Sequence, residues 1–418
     1  MHTHDPIIFP PEQTALFGML GRSLFQRDYT PPADTDWQAV LQEAYAQTVV
    51  STAFCNAVGC GIPDPVMNEI KTATRGTVLR IAAIQKAHTL LHTLLTANGI
   101  PYVILKGAAS AYYYPNSLMR GMGDVDFFIP PVYREAAMSL LLEQGFTETE
   151  GNEKLHTVLL WKGVKFELHY DLPGVPDGEA GERIRRLYPD LTEQAEPTTN
   201  DAAVFMRPSH LHHGLILLLH TQSHLLCEGL GLRHVCDWAA FVRRMGDSFR
   251  PTMEDTLRAL GLWRFARILS LAGTVAAGLP ESDWMGEDPT DRETAVSLLQ
   301  DVLEGGNFGY KDKDRSRVYE SRLSGNSDHG DMEQSRFKNG FSAVNAWVRE
   351  KWPAAGKCPL LLPLGWIYFL LRRIFLVVTG KKKPILVKET MENSRKRQSL
   401  YRRLALFKPE EPTASPRP

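Results

Sequence analysis

The chain has 418 residues, enough for about two or three domains with a sizeable core, and a net charge of −1. Its 43% hydrophobic and 23% charged residues are ordinary for a globular protein, and the near-zero charge excludes a global field that would attract nucleic acid or a membrane. One asymmetry is hidden in the average, because residues 381–418 carry 11 Lys and Arg against 4 Glu.

The compartment is inferred from the cysteines and the N-terminus. The five cysteines form no C-x-x-C pair, and their spacing suggests neither a zinc site nor a disulfide framework. The N-terminus, Met1-H-T-H-D-P, lacks a basic region followed by an apolar run, so no signal peptide is expected. We therefore expect a protein of the reducing cytoplasm, with membrane association left open.

The first half of the chain is predicted to be helical and then to form a small α/β unit. An N-terminal helical region is assigned to residues 1–100, where Ala73–Asn98 repeats apolar residues at spacings of three and four before Gly99. The α/β unit occupies residues 101–200. Its predicted elements are strands at Pro101–Gly107, Asp124–Pro130, His156–Lys162 and Val164–Tyr170, and helices at Ala108–Tyr114 and Tyr133–Gln144.

The second half is predicted to be mainly helical. A helical domain is assigned to residues 201–310, with Ser209 as a plausible helix cap. Residues 311–358 form a loop-rich segment, and residues 359–418 an apolar helix with a basic tail.

The strongest chemical signal is the pair Asp124 and Asp126. Strand side chains alternate between faces, so these two carboxylates point to the same side and Val125 to the core. Two carboxylates on one face of a buried strand cost several kcal/mol in desolvation unless a cation compensates. Hard divalent ions such as Mg²⁺ or Mn²⁺ prefer oxygen ligands.

A third carboxylate lies on a later strand. Glu167 shares its face with Lys165 and His169, and it reaches the same ions if that strand pairs with the Asp124–Asp126 strand. Three carboxylates on adjacent strands suit a two-metal site with about 4 Å between the ions. His169 is either a partner of the ligands or a residue facing the cleft.

Candidate phosphate contacts precede the carboxylates. Gly107, at a strand-to-helix turn, lets backbone N–H groups approach a phosphate, and the helix N-terminus adds a favourable dipole. Lys106 and Arg120 are the candidate cations. The predicted nucleotide-binding residues are therefore Lys106, Gly107 and Arg120.

These motifs resemble the uncharacterised nucleotidyltransferase family within the DNA polymerase β-like superfamily. The similar segments are Lys106-G, Arg120, Asp124-V-D, Phe166-E-L-H, His220-x-x-x-His224, Leu232-R-H-V-C-D-W and Gly306-N-F-G, with coverage of roughly 75–380. The resemblance implies an α+β fold, in which a small mixed-sheet core with flanking helices joins a helical domain. It implies transfer of a nucleoside monophosphate from an NTP to an acceptor, with release of pyrophosphate.

The family pattern is carried over residue by residue. Asp124 and Asp126 become the metal ligands, Glu167 the third carboxylate and Gly107 the phosphate-turn glycine. The usual Gly-Ser pair of the superfamily is replaced by Lys106-G-A-A, so a hydroxyl contact to phosphate is missing. The separation between Gly107 and Asp124 is also longer than in minimal members.

Two histidine pairs, His88-T-L-L-H and His220-T-Q-S-H, have helical i, i+4 spacing. Zinc would need a third ligand, and neither pair carries the Glu of H-E-x-x-H. His220 and His224 are instead expected to contact substrate or the catalytic core. Asp237 is expected to cap or brace the helical domain.

The segment Leu360–Val378 is apolar, but its uncharged run before Arg372-Arg373 is too short to span a bilayer, which needs about 20 residues. It is either a buried helix or an interfacial helix followed by Lys381-K-K. The arginines of Arg395-K-R and Arg402-R are alternative contacts for RNA phosphates, so nucleic acid is not excluded.

Three function classes fit these observations. The first is an active nucleotidyltransferase that uses an NTP and an unidentified hydroxyl-bearing acceptor. The alternative is a nucleotide- or partner-binding module of the same fold without turnover, although such a module needs no third carboxylate. A D-x-D glycosyltransferase that uses a nucleotide-sugar ranks last, because the D-x-D is not surrounded by a nucleotide-binding α/β domain of adequate length.

Overall fold

The computed structural model describes residues 9–149, 156–226 and 229–311. Beyond them it describes only 345, 348–349, 352, 361–378, 396–397 and 399–410. Most of the loop-rich segment expected at 311–358 and the Lys381-K-K run lie outside the described residues. Within them, the predicted α+β class is confirmed.

Helices make up most of the described chain. The helices are α1 (Pro11–Phe25), α2 (Trp37–Ala46), α3 (Val50–Phe54), α4 (Asp64–Ala97), α5 (Ala108–Ala111), α6 (Arg134–Glu143), α7 (Gly178–Arg185), α8 (Tyr188–Glu193), α9 (His210–Leu226), α10 (Leu232–Met245), α11 (Phe249–Leu260), α12 (Trp263–Ala277), α13 (Thr290–Gly305) and α14 (Leu362–Val378). The strands are β1 (Val103–Ile104), β2 (Asp124–Phe128), β3 (Thr147–Thr149), β4 (His156–Trp161), β5 (Val164–His169), β6 (Glu196–Asn200) and β7 (Ala203–Arg207).

The main sheet has the order β1-β2-β5-β4-β3, in which β2 and β5 are parallel and the other pairs antiparallel. Side-chain alternation divides it into two faces. Val125 and Phe127 of β2, with Phe166 of β5, are fully buried in an apolar core beneath the sheet. The opposite face carries the charged side chains of β2 and β5.

Two apolar cores are joined by the long helix α4. Its residues Val66 and Ile70 belong to the core of the helical domain, whereas Ile81 to Leu95 belong to the core beneath the sheet. With 34 residues, α4 is about 50 Å long and spans both cores. Helices α1 to α3 pack in the same core as α9 to α13, so the N-terminal helical region is part of the helical domain.

The start of the helical region was predicted wrongly. Residues from Asp201 were expected to be helical, but β6 and β7 form an antiparallel hairpin there. Asp201 adopts a positive φ of 50° in the two-residue turn, a conformation that Asp tolerates and that tight hairpins require. Ala203 and Phe205, two residues apart on β7, both point into the core beneath the sheet. The sequence therefore has the two-residue period of a strand before α9 begins.

The C-terminal segment contains a helix with an exposed apolar face. Leu362 of α14 belongs to a small cluster with Val348, apart from the two main cores. The exposed apolar side chains on α14 are Leu364, Ile367, Tyr368, Leu371 and Phe375. Their spacing places them on one side of the helix. Among the residues that the structure describes, no helix combines the length and apolarity needed to cross a bilayer.

The end of the chain packs on the helical domain. Leu400 and Leu404 are buried in its core, and Arg397 and Arg403 form ion pairs with Asp301 and Glu293 at 3.2 and 3.3 Å. These intramolecular contacts occupy two of the arginines considered as contacts for RNA phosphates.

Candidate active site

The three predicted carboxylates lie side by side on the face of the sheet opposite its core. In the parallel pair β2–β5, Asp126 is registered with Glu167 and Asp124 with Lys165. A carboxylate oxygen of Asp126, one of Glu167 and a ring nitrogen of His169 all lie within 4.8 Å of one another. The structure therefore brings together the residues that alternation and strand pairing suggested; their role as metal ligands stays a prediction.

Asp126 is buried and contacts two groups that carry or share protons. Its Oδ1 lies 3.0 Å from Lys106 Nζ and 2.9 Å from His169 Nε2. Burial alone would raise the pKa of Asp126, but the Lys106 ammonium and the hydrogen bond with His169 outweigh it and lower the pKa. Asp126 is therefore ionised at neutral pH.

Lys165 connects the other two carboxylates. Its Nζ lies 3.2 Å from Asp124 Oδ2 and 2.6 Å from Glu167 Oε1. Burial alone would raise the pKa of Glu167, but hydrogen bonds with His169 and Lys165 lower it to about 2. The pKa of Asp124 is raised, first by burial and then by the nearby Asp126 carboxylate. Asp124 is thus the carboxylate whose charge the local structure supports least.

The turn after β1 has the conformation expected of the phosphate turn. Gly107 has a positive φ of 61° and precedes the single-turn helix α5. A Cβ added there would lie 3.6 Å from the Asp124 carbonyl oxygen, so space permits a side chain but the backbone conformation disfavours it. Glycine at this position therefore brings the Lys106–Ala108 backbone close to the carboxylates.

Arg120 was predicted to contact a phosphate, but its guanidinium points towards α10. Its guanidinium is buried and donates to both oxygens of Asp237, with Nε–Oδ1 at 3.0 Å and Nη2–Oδ2 at 2.8 Å. The Tyr114 hydroxyl also donates to Asp237 Oδ1, at 2.7 Å. This pair joins the catalytic core to α10, which is the bracing contact expected for Asp237. A phosphate contact by Arg120 stays a prediction.

The histidines of α9 lie beside the carboxylates. Lys106 Nζ is 3.3 Å from His220 Nε2, and His220 Nε2 is 2.9 Å from His224 Nε2. His220 therefore contacts the catalytic core through Lys106. Sequence reasoning did not assign His234 of α10, whose ring packs against both, at centroid distances of 5.2 and 5.1 Å. The motif Leu232-R-H-V-C-D-W contains it, but only the packing of α10 on α9 brings it there.

The donor set at the carboxylates fits a hard divalent cation. The Asp126 and Glu167 oxygens lie together with His169, and both carboxyl groups have pKa values far below neutral. Asp124 is on the same sheet face and reaches this group through Lys165. The exposed part of Asp124 and Glu167 leaves one side of the group open to solvent.

Comparison with known proteins agrees with this geometry. Residues 33–276, more than half of the chain, match the model of a family described as uncharacterised nucleotidyltransferase. The match begins and ends earlier than the range of 75–380 inferred from the motifs, so Gly306-N-F-G lies outside it. No curated protein and no solved structure matches the chain significantly. Residues 33–276 contain the carboxylates, the glycine turn and the histidines of α9 and α10, and the chain therefore belongs to the uncharacterised nucleotidyltransferase family.

Proposed function

We propose that this protein transfers a nucleoside monophosphate from an NTP to an unidentified hydroxyl-bearing acceptor and releases pyrophosphate. The observation that carries the proposal is the grouping of Asp124, Asp126 and Glu167 on one face of two parallel strands. Adjacent buried carboxylates weaken a fold through desolvation and mutual repulsion. Residues that lower the stability of the fold in this way are expected at sites where function requires them.

The carboxylates are proposed to hold two Mg²⁺ or Mn²⁺ ions. Bound ions would supply a lowered pKa for the attacking hydroxyl and neutralisation of the triphosphate charge. The chain's own contribution is to present three oxygen donors in a fixed arrangement. His169, 2.9 Å from Asp126, orients that carboxylate.

Lys106 and Gly107 are proposed to bind the phosphates. The Lys106 ammonium lies 3.0 Å from Asp126, and the positive φ of Gly107 would let the backbone of this turn approach a phosphate there. Ala108 supplies no hydroxyl, so phosphate binding would rest on the ammonium and the backbone. The contacts of Arg120 support a positioning role, in which its pair with Asp237 holds α10 against the core.

The acceptor is proposed to approach from the helical domain. His220 and His224 lie at the end of the site next to Lys106, where they could contact a substrate. Acceptor selection would then depend on α9 and α10, rather than on the sheet.

The test is transfer of label from each NTP. The full-length protein is incubated with each labelled NTP, Mg²⁺ or Mn²⁺ and a cell extract, and both label transfer and pyrophosphate release are measured. We expect release that requires the divalent ion and is lost in Asp126→Asn. Nucleotide binding without turnover in every extract would instead support the binding-module alternative.

We also propose a peripheral membrane contact through α14. The exposed apolar side chains of α14 lie on one face, and the positively charged Lys381-K-K run follows in the sequence. An anionic lipid surface would match both features, since the apolar face inserts shallowly and the lysines attract the headgroups.

A further inference from the structure

A second group of metal-binding side chains lies outside the carboxylate trio. It is formed by His220 and His224 of α9 with His234 of α10, and one ring nitrogen from each lies within 4.8 Å of the other two. Helical i, i+4 spacing places the first two rings on one face of α9, and the packing of α10 supplies the third. The third ligand that a zinc site requires is therefore present.

The ring of His234 is almost completely buried without a well-directed hydrogen bond. Its exposed fraction is 3%, neither ring nitrogen has a partner in hydrogen-bonding geometry, and the Gly231 carbonyl oxygen lies nearby. A buried polar group without a partner destabilises the folded state, so its presence calls for a ligand or another compensation. A metal ion bound by all three rings would satisfy this nitrogen.

We propose that His220, His224 and His234 bind one borderline divalent transition-metal ion, of which Zn²⁺ is the best match. Three neutral nitrogen donors select Zn²⁺, Ni²⁺ or Cu²⁺ over Mg²⁺, which prefers oxygen. Three protein ligands leave a fourth position for water or a bound group, as in zinc sites that take part in chemistry. The three histidines are separate from the carboxylate trio, and metal binding by them can be measured whether or not nucleotidyl transfer occurs.

Coordination of one ion by both rings of α9 fixes where their protons reside. The Nε2 atoms of His220 and His224 lie 2.9 Å apart and face each other. For both α9 rings to coordinate through Nε2, each ring proton must reside on Nδ1.

Two neighbouring cations oppose an added positive charge, and the structure offers a partial compensation. Lys106 lies 3.3 Å from His220, but it also lies 3.0 Å from Asp126 and keeps that partner when His220 turns to a metal. Arg233 packs near Phe308, with its guanidinium carbon 5.8 Å from the ring centroid. The Asp126 carboxylate acts on His224 in the opposite sense, favouring positive charge there.

Phe308 covers the cluster on one side. Its ring meets that of His224 edge-on, with 4.8 Å between centroids, and its backbone has a positive φ of 53°. The Phe308 N–H donates to the Gly229 carbonyl oxygen at 3.2 Å, which fixes the segment against the start of α10. An apolar cover of this kind limits water access to bound metal.

The experiment measures metal binding by the full-length protein without a histidine tag. After treatment with a chelator, the protein is titrated with Zn²⁺ against a chromophoric chelator and with Co²⁺ by visible absorption. We expect one equivalent bound, with the ligand-field spectrum of low-coordinate Co²⁺. His234→Asn should weaken Zn²⁺ binding by at least about 100-fold, since losing even a hydrogen-bond partner of a ligand costs roughly 10- to 100-fold.

Two matched variants control for the loss of a histidine. His88 is also buried with both ring nitrogens unpartnered, but it lies on α4 away from the cluster, so His88→Asn should retain Zn²⁺. His169→Asn alters the carboxylate group and should also retain it. Loss of Zn²⁺ in His169→Asn but not in His234→Asn would overturn the proposal.

Two further outcomes would overturn it. One is a wild-type protein that binds neither Zn²⁺ nor Co²⁺ in the micromolar range. The other is thermal stabilisation by inorganic phosphate, but not by Zn²⁺, that disappears in His234→Asn, because that result would make the cluster an anion site. Because the readout is metal content, the result does not depend on whether nucleotidyl transfer is found.

Discussion

Two groups of side chains suited to metal ions, the carboxylate trio and the histidine cluster, lie on either side of Lys106. Burial determines the pKa values of the histidines, whereas neighbouring charges and hydrogen bonds determine those of Asp126 and Glu167. Lys106 Nζ is 3.0 Å from Asp126 and 3.3 Å from His220. On the carboxylate side, cations and hydrogen bonds outweigh burial, so the pKa values of Asp126 and Glu167 are lowered and the groups stay charged. On the histidine side, burial dominates and the rings stay neutral.

This difference separates the ions that each cluster would prefer. Charged oxygen donors suit a hard ion that also binds phosphates, whereas neutral nitrogen donors suit a borderline ion. Lys106 contacts both clusters but is a ligand in neither, so substitutions in either cluster should change one metal affinity much more than the other. The predictions below test that separation.

The largest effect is expected for Asp126→Asn. Removal of a charged metal ligand should reduce pyrophosphate release on the order of 10³-fold or more, since electrostatic groups at the reacting phosphate contribute that much. The chain should remain folded, because Asn keeps the volume and lies on the face away from the core beneath the sheet. Turnover and circular dichroism are measured together, and Zn²⁺ affinity is expected to change far less than turnover because Asp126 is not a ligand of the histidine cluster.

The control for this variant is Asp171→Asn. Asp171 follows β5, the strand that carries Glu167, but it pairs with Arg185 at 2.7 Å, outside the carboxylate trio. Full activity in Asp171→Asn and loss in Asp126→Asn would support the assigned role. Lower thermal stability of Asp126→Asn with normal turnover would show that Asp126 is structural.

Arg120→Met should break the ion pair that joins the α/β unit to α10 of the helical domain. Removing one partner of a buried ion pair leaves Asp237 uncompensated, so the free energy of unfolding should fall by about 3–5 kcal/mol. The double variant Arg120→Met/Asp237→Leu should recover much of this stability, because two apolar side chains can replace a buried pair. Urea unfolding and nucleotide affinity are both measured. If Arg120 contacts phosphate, as the sequence predicted, stability returns in the double variant but nucleotide affinity does not.

Acid should unfold the protein partly through its neutral buried histidines. Burial lowers the pKa of His88 from 6.5 to about 4, so between these values the unfolded chain binds a proton that the folded chain does not. The contribution is fully present above pH 6.5 and is lost as the pH falls towards 4, by about 3 kcal/mol in total. His88→Leu should flatten the pH dependence of stability in this window.

An internal control is available for His88→Leu. At pH 7.5 the variant and the wild type differ only in packing, so the difference there is subtracted. The pKa of Glu167 is lowered from 4.5 to about 2, so its contribution overlaps the window only between pH 4 and 4.5. An unchanged slope between pH 4 and 6.5 in the variant would refute the assignment to His88.

The carboxylate site was predictable because strand alternation and parallel pairing are local rules. Asp124 and Asp126 share a face whenever β2 is a strand, and Glu167 joins them once β5 pairs beside it. Repeated apolar residues likewise predicted α4 and the amphipathic helix α6. These features depend on neighbours within a few residues.

Other features depend on packing between distant elements, and the sequence did not indicate them. His234 meets His220 only because α10 packs on α9, and Arg120 meets Asp237 across 117 residues. The β6–β7 hairpin was missed because its Asp201 turn was overlooked in front of a strong helical pattern. Sequence periodicity specifies faces, but not which faces meet.

A smaller effect is expected for Lys165→Met. An ion entering the trio must displace the Lys165 ammonium from Asp124 and Glu167, and a half-exposed pair of this kind contributes about 1 kcal/mol or less. The Mg²⁺ concentration needed for half-maximal thermal stabilisation should therefore fall by up to roughly fivefold. Lys162→Met is the control, because Lys162 stacks on Trp161 outside the trio. A higher Mg²⁺ requirement in Lys165→Met would show that the lysine assists metal binding.

The smallest effect concerns the proposed membrane contact of α14, outside both clusters. Full-length protein should float with anionic liposomes at low salt and dissociate as salt rises, because the charged part of the attraction is screened. Deleting residues 359–418 would also remove Leu400 and Leu404 from the core, so substitutions are the cleaner test. Leu371→Glu/Phe375→Glu should abolish flotation by placing two charges on the exposed apolar face.

The matched control places the same two charges elsewhere. Val58 and Val132 are exposed apolar residues away from α14, at 84% and 82% exposure, so Val58→Glu/Val132→Glu changes the net charge equally and should still float. Equal loss of flotation in both double variants would mean that binding follows net charge alone. If the wild-type protein stays in the aqueous fraction at low salt, the interfacial reading is wrong, and the apolar face of α14 needs a protein partner or another part of this chain to cover it.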